Sequence, residues 1–192
     1  EKQFLSKGGY KMKKILVIAV IMCFLLTTLA AANPLHKAAC EGDIEAVKNW
    51  LKHAPKTIDM QDANGVTALC YATEFSSKEM VKLLLVSGAN PNATDSKGWA
   101  PLHYVMWSKT PDRVEKARLL IDYKANINQR APHHCFTPIF YALMHKQRDL
   151  VQFCVDNGAD LKMRMNMNSL TPLEYAKKYW NVPDITRMLE TY

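Results

Sequence analysis

A phrase of the form Pro-Leu-His followed by small residues returns along this chain at a nearly fixed step. It reads Pro34-Leu35-His36-Lys37-Ala38-Ala39, then Ala68-Leu69-Cys70-Tyr71-Ala72. It continues as Pro101-Leu102-His103-Tyr104-Val105, Pro138-Ile139-Phe140-Tyr141-Ala142 and Pro172-Leu173-Glu174-Tyr175-Ala176. The aliphatic anchors stand at 35, 69, 102, 139 and 173, so the steps are 34, 33, 37 and 34. A period in this range marks one supersecondary unit stacked on copies of itself. The question of function therefore moves from a catalytic pocket to a binding surface.

Each period reads as a turn, a short helix, a second helix and a Gly-containing exit. Asp62 and Asn64-Gly65 carry turn chemistry, because Gly tolerates positive φ and Asp or Asn bonds its own backbone. Thr67 and Thr171 sit where a hydroxyl caps a first helix, and the Pro before the anchor has φ preset for a first helical turn. Ala38, Ala39, Ala72, Ala142 and Ala176 keep the first helix thin. The second helices carry the larger apolar load at steps of three and four: Ile44, Val47, Trp50 and Leu51; Met80, Val81, Leu84 and Leu85; Leu150, Val151 and Cys154. Gly42, Gly88 and Gly158 stand where left-handed caps close helices. No unit buries its apolar face alone, so stability comes from stacking.

These phrases resemble ankyrin repeats, whose marker is Thr-Pro-Leu-His-x-Ala at a 33-residue period. The second unit fits best, through Asp62-Ala63-Asn64-Gly65-Val66-Thr67-Ala68-Leu69 and the exit Ser87-Gly88-Ala89-Asn90. The third opens Asp95-Ser96-Lys97-Gly98-Trp99-Ala100-Pro101-Leu102-His103, and the fourth closes Asn157-Gly158-Ala159-Asp160. The resemblance implies an all-α solenoid of about five helix-turn-helix units with short β-hairpin turns. The units span approximately 33–61, 62–94, 95–130, 131–164 and 165–192. The third carries extra residues at Trp107-Ser108-Lys109-Thr110-Pro111-Asp112. Thr110-Pro111 there predicts a lengthened second helix from Pro111 to about Tyr123. The same unit has Lys124-Ala125 in place of the exit Gly. The first and fifth units are expected to be caps.

Residues 12–32 run Met-Lys-Lys, an uncharged apolar stretch from Ile15 to Leu26, and Thr27 to Ala32. This is the basic, apolar and Ala-x-Ala pattern of a signal peptide, with cleavage expected after Ala32 and a periplasmic or secreted product. The other reading is an uncleaved anchor in the inner membrane, for which an apolar run of about 18 residues is borderline. Residues 1–11 are expected to lie upstream of the true start, Met12, because Lys7-Gly8-Gly9 reads as the codons of a purine-rich ribosome-binding site. Removing the five Lys and one Glu of residues 1–32 from totals of 25 and 18 leaves 20 basic against 17 acidic groups. No basic block interleaved with aromatics appears, so nucleic acid is not an expected partner.

Cys154 sits at a core position and is expected to be a small buried apolar group. Cys70 stands at the His position of the marker, Cys40 on an exposed first-helix position and Cys135 in a hairpin. Free thiols are expected, with Cys40–Cys70 the least strained alternative bridge. The cluster His133-His134-Cys135, with His103 or His145, suggests soft-metal or redox chemistry. Its spacing matches no closed zinc pattern, and a polar hairpin tip is the simpler reading. No catalytic triad, carboxylate pair or phosphate loop appears in a place that needs it, so neither enzymatic activity nor a cofactor is expected. The resemblance implies that His36 and His103 bond the backbone of a neighbouring hairpin.

The resemblance also implies where a protein partner would bind: the hairpin tips and the exposed ends of the first helices, along one concave surface. Two residues before the Pro position stand Val66, Trp99, Phe136 and Leu170. At the helix ends stand Phe75, Trp107, Met144 with His145, and Tyr179. Large aromatic and Met side chains are enriched in interface cores. The rival reading folds Trp99 and Phe136 down onto their own first helices, and it weighs evenly for Val66 and Leu170. The expected protein is a monomeric, exported bacterial interaction module. An immunity or accessory protein for a secreted toxin is one concrete form. The alternative is a periplasmic stress protein using the His133, His134 and Cys135 cluster.

Overall fold

Every aliphatic anchor before the last is sealed in the interior: Leu35, Leu69, Leu102 and Ile139 all lie at 0–1% exposure. Leu173, in the last unit, is half-buried. The computed structural model describes residues 33–132, 136–165, 169–179 and 183–191. The segment expected to be a signal peptide, with its expected cleavage site, and the His133, His134 and Cys135 cluster lie outside the described residues.

Among the described residues ten α-helices pair off along the chain. The first unit holds α1 (Pro34–Glu41) and α2 (Ile44–His53), and the second α3 (Ala68–Phe75) and α4 (Lys78–Val86). The third holds α5 (Pro101–Val105) and α6 (Arg113–Asp122), and the fourth α7 (Pro138–Met144) and α8 (Arg148–Asp156). The fifth holds α9 (Pro172–Tyr179) and α10 (Pro183–Glu190). First helices pack on first helices of the next unit, and from the second unit onward second helices pack on second helices. The result is an all-helical ankyrin-type solenoid. Among the described residues the hairpins are reduced to the isolated antiparallel bridges Gln61–Thr67 and Ala131–Phe136.

Local chemistry explains each start and stop. The Thr67 hydroxyl accepts from the Cys70 N–H at the head of α3. Thr171 and Glu174 form a reciprocal capping box at α9, with Glu174 Oε2 accepting from the Thr171 N–H at 2.8 Å. Gly42, Gly88 and Gly158 take φ of 78°, 94° and 80° where helices end. In the third unit Lys124 takes the left-handed exit with φ 70°.

One expected element differs. The second helix of the third unit begins at Arg113, not Pro111, and ends at Asp122. Its ten residues match α2, so the extra residues enlarge the loop. The Thr110 hydroxyl bonds Ser108 Oγ at 3.0 Å within that loop. The Asp112 side chain is also committed elsewhere, because its Oδ2 accepts from the Lys78 N–H at 2.6 Å. It thereby caps α4 of the preceding unit, whose own Ser77 makes no side-chain cap.

Two side-chain ladders repeat with the period. Asp62 accepts from the Asn64 and Val66 N–H groups and from the Tyr71 hydroxyl. Asp95 accepts from Lys97, Trp99 and Tyr104 in the same way. At the exits, Asp59 bonds the Asn90 N–H, Asn92 the Asn126 N–H, and Asn128 the Asp160 N–H, each at 2.8 Å. Each of these bonds joins one unit to the next.

Candidate functional site

The enlarged loop of the third unit brings together most of the unusual chemistry of the described chain. Pro101 starts α5, and the helix stops after Val105, so Trp107 leaves the helix end on a turn. Four rings crowd its indole: Trp99 at 4.7 Å between centroids, Tyr141 at 5.2 Å, His145 at 5.8 Å and Tyr104 at 6.0 Å. All four stand at 68–88° to it, the edge-to-face arrangement that aromatic quadrupoles favour. Tyr141 is free to join this cluster because Pro132 occupies the place of the aspartate that holds Tyr71 and Tyr104.

Next to this cluster, bonded to Ser108, lies a fully buried lysine. The Lys116 ammonium donates to the carbonyls of Thr73 at 2.6 Å and Ser76 at 3.0 Å, and to Ser108 Oγ at 3.3 Å. Its Nζ lies 3.9 Å from Asp112 Oδ1. It thus places a cation on the open carbonyl end of α3, where the helix dipole favours one. Ser108 Oγ in turn donates to the Glu74 carbonyl at 2.8 Å. Burial pushes the Lys116 ammonium down to about 8, against the opposing pull of Asp112 and Glu74. Burial likewise pushes the Glu74 carboxyl up to about 7, against the Trp107 hydrogen bond and the Lys116 charge.

Trp107, Ser108 and Lys109 form a ridge with a depression on each side. One, of about 440 Å³, is lined by Glu74, Phe75 and Thr110. The other, of about 760 Å³, is lined by Arg113, His145, Lys146, Gln147, Arg148 and Asp149. Gln147 Nε2 donates to the Met106 carbonyl at 2.9 Å and pins the far wall to the ridge. Burial and the nearby Lys109 charge hold His145 below its ordinary value.

The expected binding residues divide by position. Phe75, Met144 and Tyr179 are exposed at 42%, 42% and 46%, and His145 is exposed beside Met144. Trp107 is half-exposed on the ridge. Val66 and Phe136 are instead buried, which corrects their expected place at solvent-facing tips. Val66 packs with Cys70 and Tyr104. Phe136 packs on Phe140 and Tyr141, so the hairpin turns its side chain inward onto the first helix. Trp99 and Leu170 are half-buried against the core. Lys97 Nζ sits 4.8 Å above the Trp99 ring. The helix ends, not the hairpin tips, carry the exposed apolar groups.

The histidines of the repeated phrase serve the stack. His36 Nε2 donates to the Met60 carbonyl at 2.8 Å. His103 Nδ1 accepts from the Ala100 N–H at 3.1 Å, so Nε2 carries the proton and donates to the Phe136 carbonyl at 3.4 Å. Cys40, Cys70 and Cys154 are free. Cys40 is half-buried and not fully exposed as expected. Burial raises all three thiols, Cys70 to about 12, and so works against thiolate chemistry. Among the described residues no three His, Cys, Asp or Glu side chains converge for a metal.

Sequence comparisons agree with this architecture. The family profile described as ankyrin repeats (3 copies) matches residues 35–131, half of the chain. Tyrosine-protein kinase Shark of Drosophila melanogaster is 32% identical over 120 residues, which is 62% of this chain and 12% of that protein. Inversin of Canis lupus familiaris is 32% identical over 118 residues, covering 61% of this chain and 11% of that protein. A Caenorhabditis elegans homolog of transient receptor potential cation channel subfamily A member 1 is 38% identical over 69 residues, covering 36% and 6%. The chain therefore spans 6–12% of the length of these relatives. With half of its length matched by the family profile and its helix pairs stacked at the family's period, the chain belongs to the ankyrin-repeat family.

Proposed function

We propose that this chain is an exported bacterial interaction module that holds a protein partner along the ends of its first helices, centred on Trp107. Ankyrin repeats generally mediate protein–protein interaction and are typically non-enzymatic. The observation that carries the site is the apolar series at the first-helix ends of successive units, five or six residues past the anchors: Phe75, Met144 and Tyr179 are exposed and Trp107 is partly so. Exposed apolar groups gathered along one edge mark an interaction surface. Trp107 has the attributes of a hot spot, a large ring already fixed by its neighbours, so little side-chain entropy is lost on binding.

Export is supported by the basic, apolar and Ala-rich pattern of residues 12–32. An immunity or accessory role beside a secreted toxin fits an exported module of this kind. Cell fractionation followed by N-terminal sequencing tests it. The proposal expects a periplasmic or secreted chain beginning at Asn33, and a chain retained in the membrane with residues 12–32 intact contradicts it.

The binding test changes the exposed groups and leaves the aromatic cluster alone, because Trp99 is part of the packing. Phe75→Ser with Met144→Ser is expected to abolish partner capture from the native host while the melting temperature stays near wild type. Undiminished capture by that variant would place the interface elsewhere.

A further inference from the structure

Lys109 and Lys146 occupy the same position in adjacent units, seven residues past the anchors Leu102 and Ile139. Both are exposed, and both line the larger depression beside Trp107. The other two cations of that depression are engaged: Arg113 Nη2 lies 2.8 Å from Asp149 Oδ2, and Arg148 Nη1 lies 3.3 Å from Asp184 Oδ2. Among the described residues no carboxylate lies within ion-pair distance of Lys109 or Lys146. The rim of the depression therefore carries uncompensated positive charge beside an aromatic ridge.

The backbone at Lys146 adds a second observation. The equivalent residue of the first unit is Gly42, at φ 78°, and Lys146 takes the same left-handed turn with φ 56°. A residue with a Cβ is disfavoured in this conformation by roughly 1–2 kcal/mol, and glycine is not. The turn itself is an ordinary helix end, its Gln147 N–H bonded to the Ala142 carbonyl, and Lys124 makes the same turn after α6. At Lys146 the side chain that glycine would lack is an exposed ammonium beside the depression.

We infer that the depression between Trp107 and Lys146 binds an acidic peptide segment of the partner, its carboxylates on Lys109 and Lys146 and an apolar side chain against Trp107. This rests on the partner-binding reading above and adds the chemistry of the partner. A single-stranded nucleic acid also carries negative charge, but it needs open aromatic faces on which bases stack. Trp107 is crowded by four rings standing across it, and Asp149 sits within the same depression. An acidic chain with short side chains meets the rim without requiring a stacking platform.

The test measures fluorescence anisotropy of a labelled random copolymer of glutamate and tyrosine, titrated with the full chain. Polylysine and a single-stranded DNA oligonucleotide serve as comparison probes. The copolymer is expected to bind, and binding should weaken as salt rises, because exposed charges are screened. Lys109→Glu with Lys146→Glu should weaken it about tenfold, the scale of losing two exposed charge pairs and creating two repulsions. Lys82→Glu, in the groove between α4 and α6, should leave it unchanged. Lys146→Gly separates binding from folding: it should melt no lower than wild type and still bind the copolymer more weakly. Absence of copolymer binding, indifference to the charge reversals, or tighter binding of the oligonucleotide would overturn the inference. The wider partner-binding reading stands or falls separately, on the Phe75 and Met144 variants.

Discussion

The Lys116 ammonium donates to the Thr73 carbonyl at 2.6 Å, reaching from the second helix of one unit to the end of the first helix of the unit before. The bond is completely shielded from water, and its donor also serves Ser76 and Ser108. Lys116→Met keeps the stem and removes the donors. It strands buried carbonyls, each of which costs about 1–3 kcal/mol when left unmet. A loss of about 3 kcal/mol in urea denaturation is expected, and a loss under ~0.5 kcal/mol would show the bonds to be dispensable.

Gly65 lies where two hairpins meet. Its φ is 78°, and a Cβ added there would sit 2.6 Å from the Ser96 backbone nitrogen. That nitrogen donates to the Asn64 carbonyl at 3.0 Å, so it cannot retreat without breaking the link between units. Gly65→Ala should cost about 2 kcal/mol or more, from left-handed strain and displacement together. Gly88→Ala, at φ 94° with open space around it, should show the strain alone. Equal losses in the two variants would argue against the close approach.

Lys124 gives the opposite expectation. It takes φ 70° at the end of α6, where Gly88 and Gly158 serve the neighbouring units. Its N–H and carbonyl stay bonded, to Ile121 and from Asn92. Lys124→Gly relieves the strain and keeps both bonds. The unfolded chain gains freedom in exchange, so a net stabilisation of about 0.5–1 kcal/mol is expected. A lower melting temperature in this variant would contradict it.

Two groups, the buried His103 and the half-buried Glu74, bend stability against pH in opposite senses. Burial pushes His103 down to about 4 from an ordinary 6.5. Its neutral form is the one the fold accepts, so its contribution is complete above 6.5 and is lost as pH falls toward about 4. Burial pushes Glu74 up to about 7 from an ordinary 4.5. The fold prefers it protonated, so that contribution is complete below 4.5 and is lost as pH rises through about 7. Glu74→Gln should therefore gain on wild type across that second window when denaturation midpoints are compared. A constant difference from acid to neutral pH would assign no titration to Glu74.

The stack was legible in the sequence because its signals are local and periodic. Leu35, Leu69, Leu102 and Ile139 mark the interior, and the Gly exits and Thr67 cap follow from neighbours a few residues away. The candidate surface was half legible. Phe75, Met144 and Tyr179 are exposed, as their position past the first helix suggested. The sequence leaves Val66 and Phe136 open because a hairpin side chain can turn either way, and the inward choice depends on Cys70 and Phe140 of the same unit and Tyr104 of the next. Lys116 and Asp112 were missed because a charged residue on a second helix ordinarily faces water. Their partners, Thr73 and Lys78, lie more than thirty residues away. The ladder of Asp59, Asn92 and Asn128 did leave a trace, since those residues recur at steps of 33 and 36.

The first-helix ends around Trp107 form the face proposed to meet the partner. Photo-crosslinking in the native host decides whether that face is in contact. A photoreactive amino acid is placed singly at Met144, beside the Trp107 depression, and at Val86, which is 64% exposed at the end of a second helix. Crosslinking of one discrete partner from Met144 and none from Val86 is the predicted result. The same partner captured from Val86 and not from Met144 would place the interface on the second helices instead.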